Sequence, residues 1–272
     1  PLSAALGTPV VIDNKGGAGG SVGSAVAARA PADGYTILGG TISSHSINGS
    51  LYTTPIGYDP VKSFAPVAML GSGPLVLVVP ATSSYKTLND VLAGSKAKSG
   101  GLSSASPGNG TSPHMALELL AFQSGVKFTH VPYKGSGPAF SDLISGHVDM
   151  MFSGLPAVSE YIKGHKLKAV AIAAARRSPF APEVPTMGEA GLAGFESFIS
   201  QGLFAPAGTP ADTVARINAA VGQVLGTPDM ARRLAQLKAE FQPGSAADYR
   251  QWLDGQSETW ARLIRDAGIK ID

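Results

Sequence analysis

Eleven residues, Ser104-Ala-Ser-Pro-Gly-Asn-Gly-Thr-Ser-Pro-His114, have the types and spacing to hold an anion without reacting with it. They read as a strand exit, a glycine loop and a helix start. Ser112 suits the N-cap and Pro113 the first helical position, where a missing N–H is not needed. Gly108 and Gly110 keep side chains away from the free N–H groups of that helix end. Such an end carries about half a positive elementary charge and favours anions. An ordinary βα loop reads the same way, so one instance alone decides nothing. His114 either donates one hydrogen bond to an anion or caps its own helix.

The pattern recurs twice. Val131-Pro-Tyr-Lys-Gly-Ser-Gly-Pro-Ala139 follows a short strand at residues 128–131 and leads into a helix over 139–145. Met150-Met-Phe-Ser-Gly-Leu-Pro-Ala157 follows a strand begun at Val148 and leads into another helix. In all three a glycine precedes a proline at the helix start. Strands alternating with helices imply a parallel sheet, whose strand C-termini lie along one edge, where ligands of open α/β sheets bind. The three loops together read as a pocket for an anionic small molecule. Lys134 either neutralises a carboxylate there or is a solvated loop lysine, and Arg176-Arg177 reads as solvated surface.

Reactive constellations are missing. None of the five histidines sits in a His-Glu-x-x-His pattern, and no Gly-x-Ser-x-Gly elbow occurs. The chain has 0 cysteines, which removes thiolate chemistry, disulfides and cysteine–zinc sites. The run Gly17-Ala-Gly-Gly-Ser-Val-Gly23 misses the dinucleotide spacing, its last glycine falling one residue late. The residues thus offer no enzymatic constellation and no metal-ligand pattern, and the glycine run reads as a turn that allows close backbone approach.

The elements that must position these loops are legible in outline. Residues 8–12 read as a buried strand, 21–30 as a helix and 35–38 as a strand; 67–70 and 75–79 read as two more strands. Thr87 caps a helix to about residue 98, and 102–105 begins a second series of strands. An apolar helix face runs through Met115, Leu119, Leu120 and Phe122. Strands follow at 168–174 and 197–205, and helices open at Pro210, Pro228 and Ser245. Trp252 and Trp260, eight apart, share one face of the last helix and read as core. A chain of 272 residues suggests two domains. A net charge of +2 argues against nucleic acid or a membrane surface as partner, and no apolar stretch is long enough to span a bilayer.

The chain also resembles a known family. Pro9-Val-Val-Ile with Gly16-Gly-Ala-Gly-Gly20, Ala32-Asp-Gly-Tyr-Thr36, Tyr58-Asp-Pro-Val-Lys62 and Phe64-Ala-Pro-Val67 look like the Bug-type extracytoplasmic solute receptors of tripartite tricarboxylate transporters. The loops described above match too, as do Val184-Pro-Thr186 and Leu203-Phe-Ala-Pro-Ala-Gly-Thr-Pro210. The resemblance implies an α/β, two-lobe periplasmic binding protein fold (type II) with the ligand cleft between its lobes. It implies a periplasmic, monomeric protein that captures a small carboxylate and hands it to a membrane permease, with no catalysis and no cofactor. Lobe one is then residues 1–101 and 207–272, lobe two residues 102–206, with crossings near Gly100 to Leu102 and Phe204 to Gly208. The alternative is a ligand-sensing module of similar fold, such as a transcription regulator's effector domain, although no segment offers a basic helix-turn-helix.

Within that frame, Ser106, Asn109, Gly110 and Thr111 are expected to hold one carboxylate end, with Thr41, Ser43 and His45 opposite. Tyr133 and Phe204 supply flat walls or simply core. Ser153 stands where family members often carry an acidic or amide side chain; a serine brings no charge for an ammonium, which favours an aliphatic or aromatic dicarboxylate over an amino acid. Residues 1–6 read as the tail of a helix stopped by Gly7. Similar receptors begin about thirty residues earlier, with a buried strand and a glycine-containing ligand loop, so the natural protein is expected to carry that segment.

Overall fold

The computed structural model describes residues 1–236 and 244–270. The chain divides into two compact units: Pro1–Ser72 with Ser200–Asp272, and Gly73–Ile199.

The first unit opens with α1 (Leu2–Leu6), which stops at Gly7 with φ 69°, the left-handed residue expected there. Residues 8–12, read as a buried strand, form none: no described strand pairs with them, and Val11 and Ile12 are 87% and 81% exposed. An apolar run becomes a strand only where a neighbouring backbone takes up its N–H and C=O groups. A 3-10 turn (Ala18–Gly20) leads into α2 (Ser21–Ala27). Strand β1 (Leu38–Thr41) starts later than its sequence suggests, because Asp33 Oδ1 accepts the Tyr35 N–H at 2.9 Å and prolongs the turn. A π-helical turn (Ser43–Ile47) and the short α3 (Asn48–Leu51) follow, neither of them anticipated.

The two strands read at 67–70 and 75–79 are one, β2 (Phe64–Pro80). Gly71, Gly73 and Pro74 do not break it, since the fixed φ of proline is compatible with extended backbone. β7 (Phe198–Pro206) is antiparallel to β1, with Leu38 opposite Phe204 and Thr41 opposite Gln201, and its other neighbour is β2. Against these strands pack α8 (Ala211–Leu225) and α10 (Ala246–Asp266), with α9 (Pro228–Gln236) between them in sequence. Val214, Ile217 and Val221 of α8 meet Val67, Ala68 and Ala205, and the Asn218 side-chain amide donates to the Val67 carbonyl at 2.8 Å. α10 begins with a capping box: Ser245 Oγ accepts the Asp248 N–H, and the Asp248 carboxylate accepts the Ser245 N–H. Trp260 is buried and Trp252 packs on the core, as their shared face implied.

At the centre of this unit the His45 ring, 1% exposed, stacks on Phe204 at 3.6 Å and meets the edge of Phe64 at 4.9 Å. Only a glycine fits beneath it: a Cβ on Gly40 would lie 2.6 Å from His45 Cε1 and 2.7 Å from Phe204 Cε2. His45 Nδ1 is 2.8 Å from Ser44 Oγ, while Nε2 is buried with no polar partner. Burial pulls the pKa of this imidazole down to about 3, so the ring is neutral.

The second unit places β2 beside β5 (Met150–Gly154) on one side and β6 (Leu167–Ile172) on the other, both antiparallel to it. Beyond β5 come β3 (Leu102–Ser106) and β4 (Phe128–Pro132). β3 is parallel to both β4 and β5, with Ser104 opposite His130 and also opposite Met150. The helices are α4 (Leu88–Ala97), α5 (Ser112–Ser124), α6 (Ser136–Ile144) and α7 (Leu155–Lys163). Thr87 caps α4 as expected, in a box with Asp90. α5 starts one residue early, with Thr111 as N-cap, and Phe122 is 51% exposed instead of joining Met115, Leu119 and Leu120 in the core. Val76, Val78, Ala105, Met151 and Ile172 of the sheet pack against Phe140, Leu143, Leu155 and Val158 of α6 and α7.

The boundary between the two compact units falls within β2 and β7. Gly100 and Gly101, with φ 80° and 78°, form the turn from α4 to β3 inside the second unit; a Cβ on Gly101 would run into the Lys127 carbonyl.

Two stability outcomes follow. Gly40→Ala should lower the unfolding free energy by about 1–3 kcal/mol through overpacking, read by urea titration at pH 7; an unchanged midpoint would show that the stack relaxes freely. Acidification should also destabilise the fold. The unfolded chain protonates His45 near pH 6.5, whereas the folded chain does so only near 3. Stability therefore falls between pH 7 and 5, by about 2 kcal/mol for this residue. His45→Phe should show a shallower fall than the parent chain, and equal slopes would contradict the assignment.

Candidate functional site

The parallel pairing of β3 with β4 and β5 sends the C-terminal ends of three strands to one edge of the second unit's sheet. From that edge start α5, α6 and α7, of 13, 9 and 9 residues. Their N-caps are Thr111, Gly135 and Gly154, and α5 and α7 carry proline in their first positions. The first N–H groups of a helix have no intrahelical partner and form its positive end. Three such ends therefore meet along one edge.

The loop between β3 and α5 is closed on itself. Ser106 is fully buried; its Oγ accepts the Gly108 N–H at 3.1 Å, reaches the Gly108 carbonyl at 3.1 Å and lies 2.6 Å from His130 Nε2. Thr111 Oγ1 donates to the Gly108 carbonyl at 2.7 Å, and the Gly110 N–H donates to His114 Nδ1 at 3.2 Å. Gly108 and Gly110 have φ 143° and 74°, which side chains rarely adopt. The Gly135 N–H donates to the Pro107 carbonyl and the Tyr133 N–H to the Ser106 carbonyl, tying the loop after β4 to the loop after β3. Of the residues singled out by sequence, Asn109 is exposed at the loop tip, Gly110 is buried and Thr111 half-buried. His114 makes no cap on its own helix; its Nδ1 accepts the Gly110 N–H from the loop before the N-cap.

Tyr133 is half-buried, and its hydroxyl donates to Asp142 Oδ2 on α6 at 2.7 Å; burial and this carboxylate push its pKa up to about 12. Lys134 is exposed beside it. Ser153 is buried on β5 opposite Val76, one residue before the α7 cap. These residues of the second unit share the edge where the three helices start. Thr41, Ser43, His45 and Phe204 belong to the first unit. There Thr41 and Ser44 close a turn through their hydroxyls and backbone, and the Phe204 ring is covered by His45, Phe64 and Tyr249.

Sequence reasoning missed His130. A lone histidine in a strand gives no signal of its own; only the parallel register of β3 and β4 sets it beside Ser106, where it stacks on His114 at 3.9 Å. Burial, followed by the neighbouring His114, holds its pKa down at about 4.

A separate hollow of about 680 Å³ lies in the first unit, lined among others by His45, Asn48, Tyr52, Tyr58, Asp59 and Ser257. Its lining includes the Asp59 carboxylate. Among the described residues no group of three His, Asp or Glu is placed to hold a metal, and no helix is long and apolar enough to cross a membrane.

Known proteins are similar to this chain in sequence and in fold. A protein encoded in the tcbD-tcbE intergenic region of a Pseudomonas species is 39% identical over 265 residues, covering 97% of this chain and 78% of that one. BugT of Bordetella pertussis is 33% identical, covering 99% and 83%. Among solved structures, an R. palustris protein with adipate superposes with a TM-score of 0.93 at 32% identity, covering 99% of this chain and 91% of the other. MatC from Rhodopseudomonas palustris, with bound malate, gives 0.91 at 33% identity, covering 97% and 90%. The periplasmic binding protein BugD gives 0.92 at 32% identity, covering 99% and 90%. Residues 1–269 match the TctC family, described as the tripartite tricarboxylate transporter family receptor. The sheet edge with its three helix starts thus sits in a solute-binding receptor fold, and the chain belongs to the tripartite tricarboxylate transporter receptor family, as its motifs implied.

Proposed function

We propose that this protein is a periplasmic receptor that binds a small dicarboxylate without transforming it and delivers it to a membrane permease. The observation that carries the reading is the convergence of the α5, α6 and α7 N-termini on one edge, beside a loop whose backbone is already fixed. A carboxylate at such an edge gains from aligned helix ends and from hydrogen bonds to N–H and hydroxyl groups, with no buried cation required. Asn109 and Lys134 are the contacts we assign on this face, with Ser106, Gly110 and Thr111 shaping the loop from beneath. Tyr133, held by Asp142, gives the site a wall of fixed orientation.

The dicarboxylate class rests on two supports. Related structures hold adipate and malate, both with two acidic ends. At Ser153 this chain offers a hydroxyl where an ammonium group would need a carboxylate, so an amino acid lacks its partner there. Periplasmic placement and hand-over to a permease are the parts of the reading that the family's description as a transporter receptor supports.

A thermal-shift screen of carboxylates should raise the melting temperature with adipate or malate more than with aspartate or glutamate. Calorimetry should return the ligand unchanged. Consumption of the ligand, or a clear preference for an amino acid, would overturn the reading. Thr111→Leu removes the hydroxyl that donates to the Gly108 carbonyl and should weaken binding of the preferred dicarboxylate by about 5- to 100-fold, the range expected when a half-buried carbonyl loses its donor and the loop loosens. Unchanged affinity would move the carboxylate away from the α5 cap.

A further inference from the structure

Behind the loop of residues 108–111 lies a cluster that direct ligand contact does not use: His114 and Glu118 on α5, His130 on β4 and Ser106 on β3. The Gly110 N–H donates to His114 Nδ1 at 3.2 Å, so that nitrogen carries a lone pair and the proton sits on Nε2. Nε2 in turn faces Glu118 Oε1 at 3.3 Å. At Ser106, one assignment satisfies every contact: His130 Nε2–H and the Gly108 N–H donate to Oγ, and the hydroxyl donates to the Gly108 carbonyl. The two imidazoles stack face to face at 3.9 Å, 17° from parallel.

We propose that His114 is a positioning residue for the anion loop, its neutral Nδ1 fixing the direction of the Gly110 amide, and that the stacked His114–His130 pair holds the loop only while both rings are uncharged. Protonation of His114 places a hydrogen on Nδ1. The ring then no longer accepts from Gly110, and a donor faces a donor. The stacked geometry disfavours a charge on both rings at once, and burial, followed by the neighbouring His114, holds the His130 pKa down at about 4. Other charged groups of the neighbouring elements are engaged elsewhere: Asp149 with Lys98 and Ser103 at the far end of β3, and Asp142 with Tyr133 and His147 on α6.

The assignment of the loop as a carboxylate site rests on the proposed function, but the role of His114 is measurable without ligand. In the ligand-free protein, ¹⁵N-detected imidazole spectra at pH 7.5 should show His114 with Nε2 protonated and Nδ1 bare. As the pH falls toward 4, the Gly110 amide resonance should move with the His114 titration. In His114→Gln, where an amide oxygen replaces Nδ1 as acceptor, Gly110 should stay still. A protonated Nδ1 at pH 7.5, or a Gly110 amide indifferent to His114, would overturn the proposal. Adipate binding gives the second readout. At pH 7.5 His114→Gln should bind within about threefold of the parent chain and His114→Leu at least about tenfold more weakly. Between pH 7.5 and 5 the parent should lose at least about threefold more affinity than His114→Gln, a ratio in which the ligand's own protonation cancels. If His114→Leu does not fold, the Gln variant's pH profile decides. Equal profiles would overturn the proposal. If the parent binds no dicarboxylate while Gly110 follows His114, the positioning role stands and the proposed function fails.

Discussion

Everything at the proposed site depends on the parallel register of β3 with its neighbours. Because Ser104 lies opposite both His130 and Met150, the three strands run out to the same edge, and the three helices that follow start from it. A shift of one residue would turn alternate side chains to the other face of the sheet. It would also separate Ser106 from His130. The site is a property of backbone placement first. Side chains enter chiefly to hold that backbone still.

This explains a division of labour between small and large residues. Glycines at 108 and 110 adopt conformations that side chains resist, and the hydroxyls of Ser106 and Thr111 close the loop over them. Bulky groups work one layer behind: the stacked histidines under the loop and the Phe140, Leu143 and Val158 core under the helices. An anion held in this way meets N–H groups whose orientation is set before it arrives. Less ordering is then required at binding, which is where a receptor gains affinity without a buried cation.

Much of this was legible in the sequence because its signals are local. Thr87 with Asp90 and Ser245 with Asp248 announce helix starts by chemistry confined to one turn, and Gly7 announces a stop in the same way. The three glycine-to-proline helix entries are local too, and the whole chain's motifs pointed to its family. What could not be read depends on partners distant in sequence. His130 acquires a role only through its pairing with β3, and the apolar residues 8–12 show that hydrophobicity alone does not make a strand. The single long β2 looked like two strands because Gly71, Gly73 and Pro74 weaken local propensity, while pairing along the sheet decides the outcome. The π-helical turn that buries His45 against Phe204 has no marker in the local sequence at all.

One consequence of the fold is spectroscopic. The chain has 2 tryptophans, Trp252 and Trp260, and both lie on α10 in the first unit. The second unit, with the converging helix starts, contributes none. Indole emission therefore reports on one unit, whereas far-ultraviolet circular dichroism reads the backbone of both. Superimposable transitions by the two methods would mean that the units melt as one cooperative body. Displaced transitions would give each unit its own stability, resolved without cutting the chain.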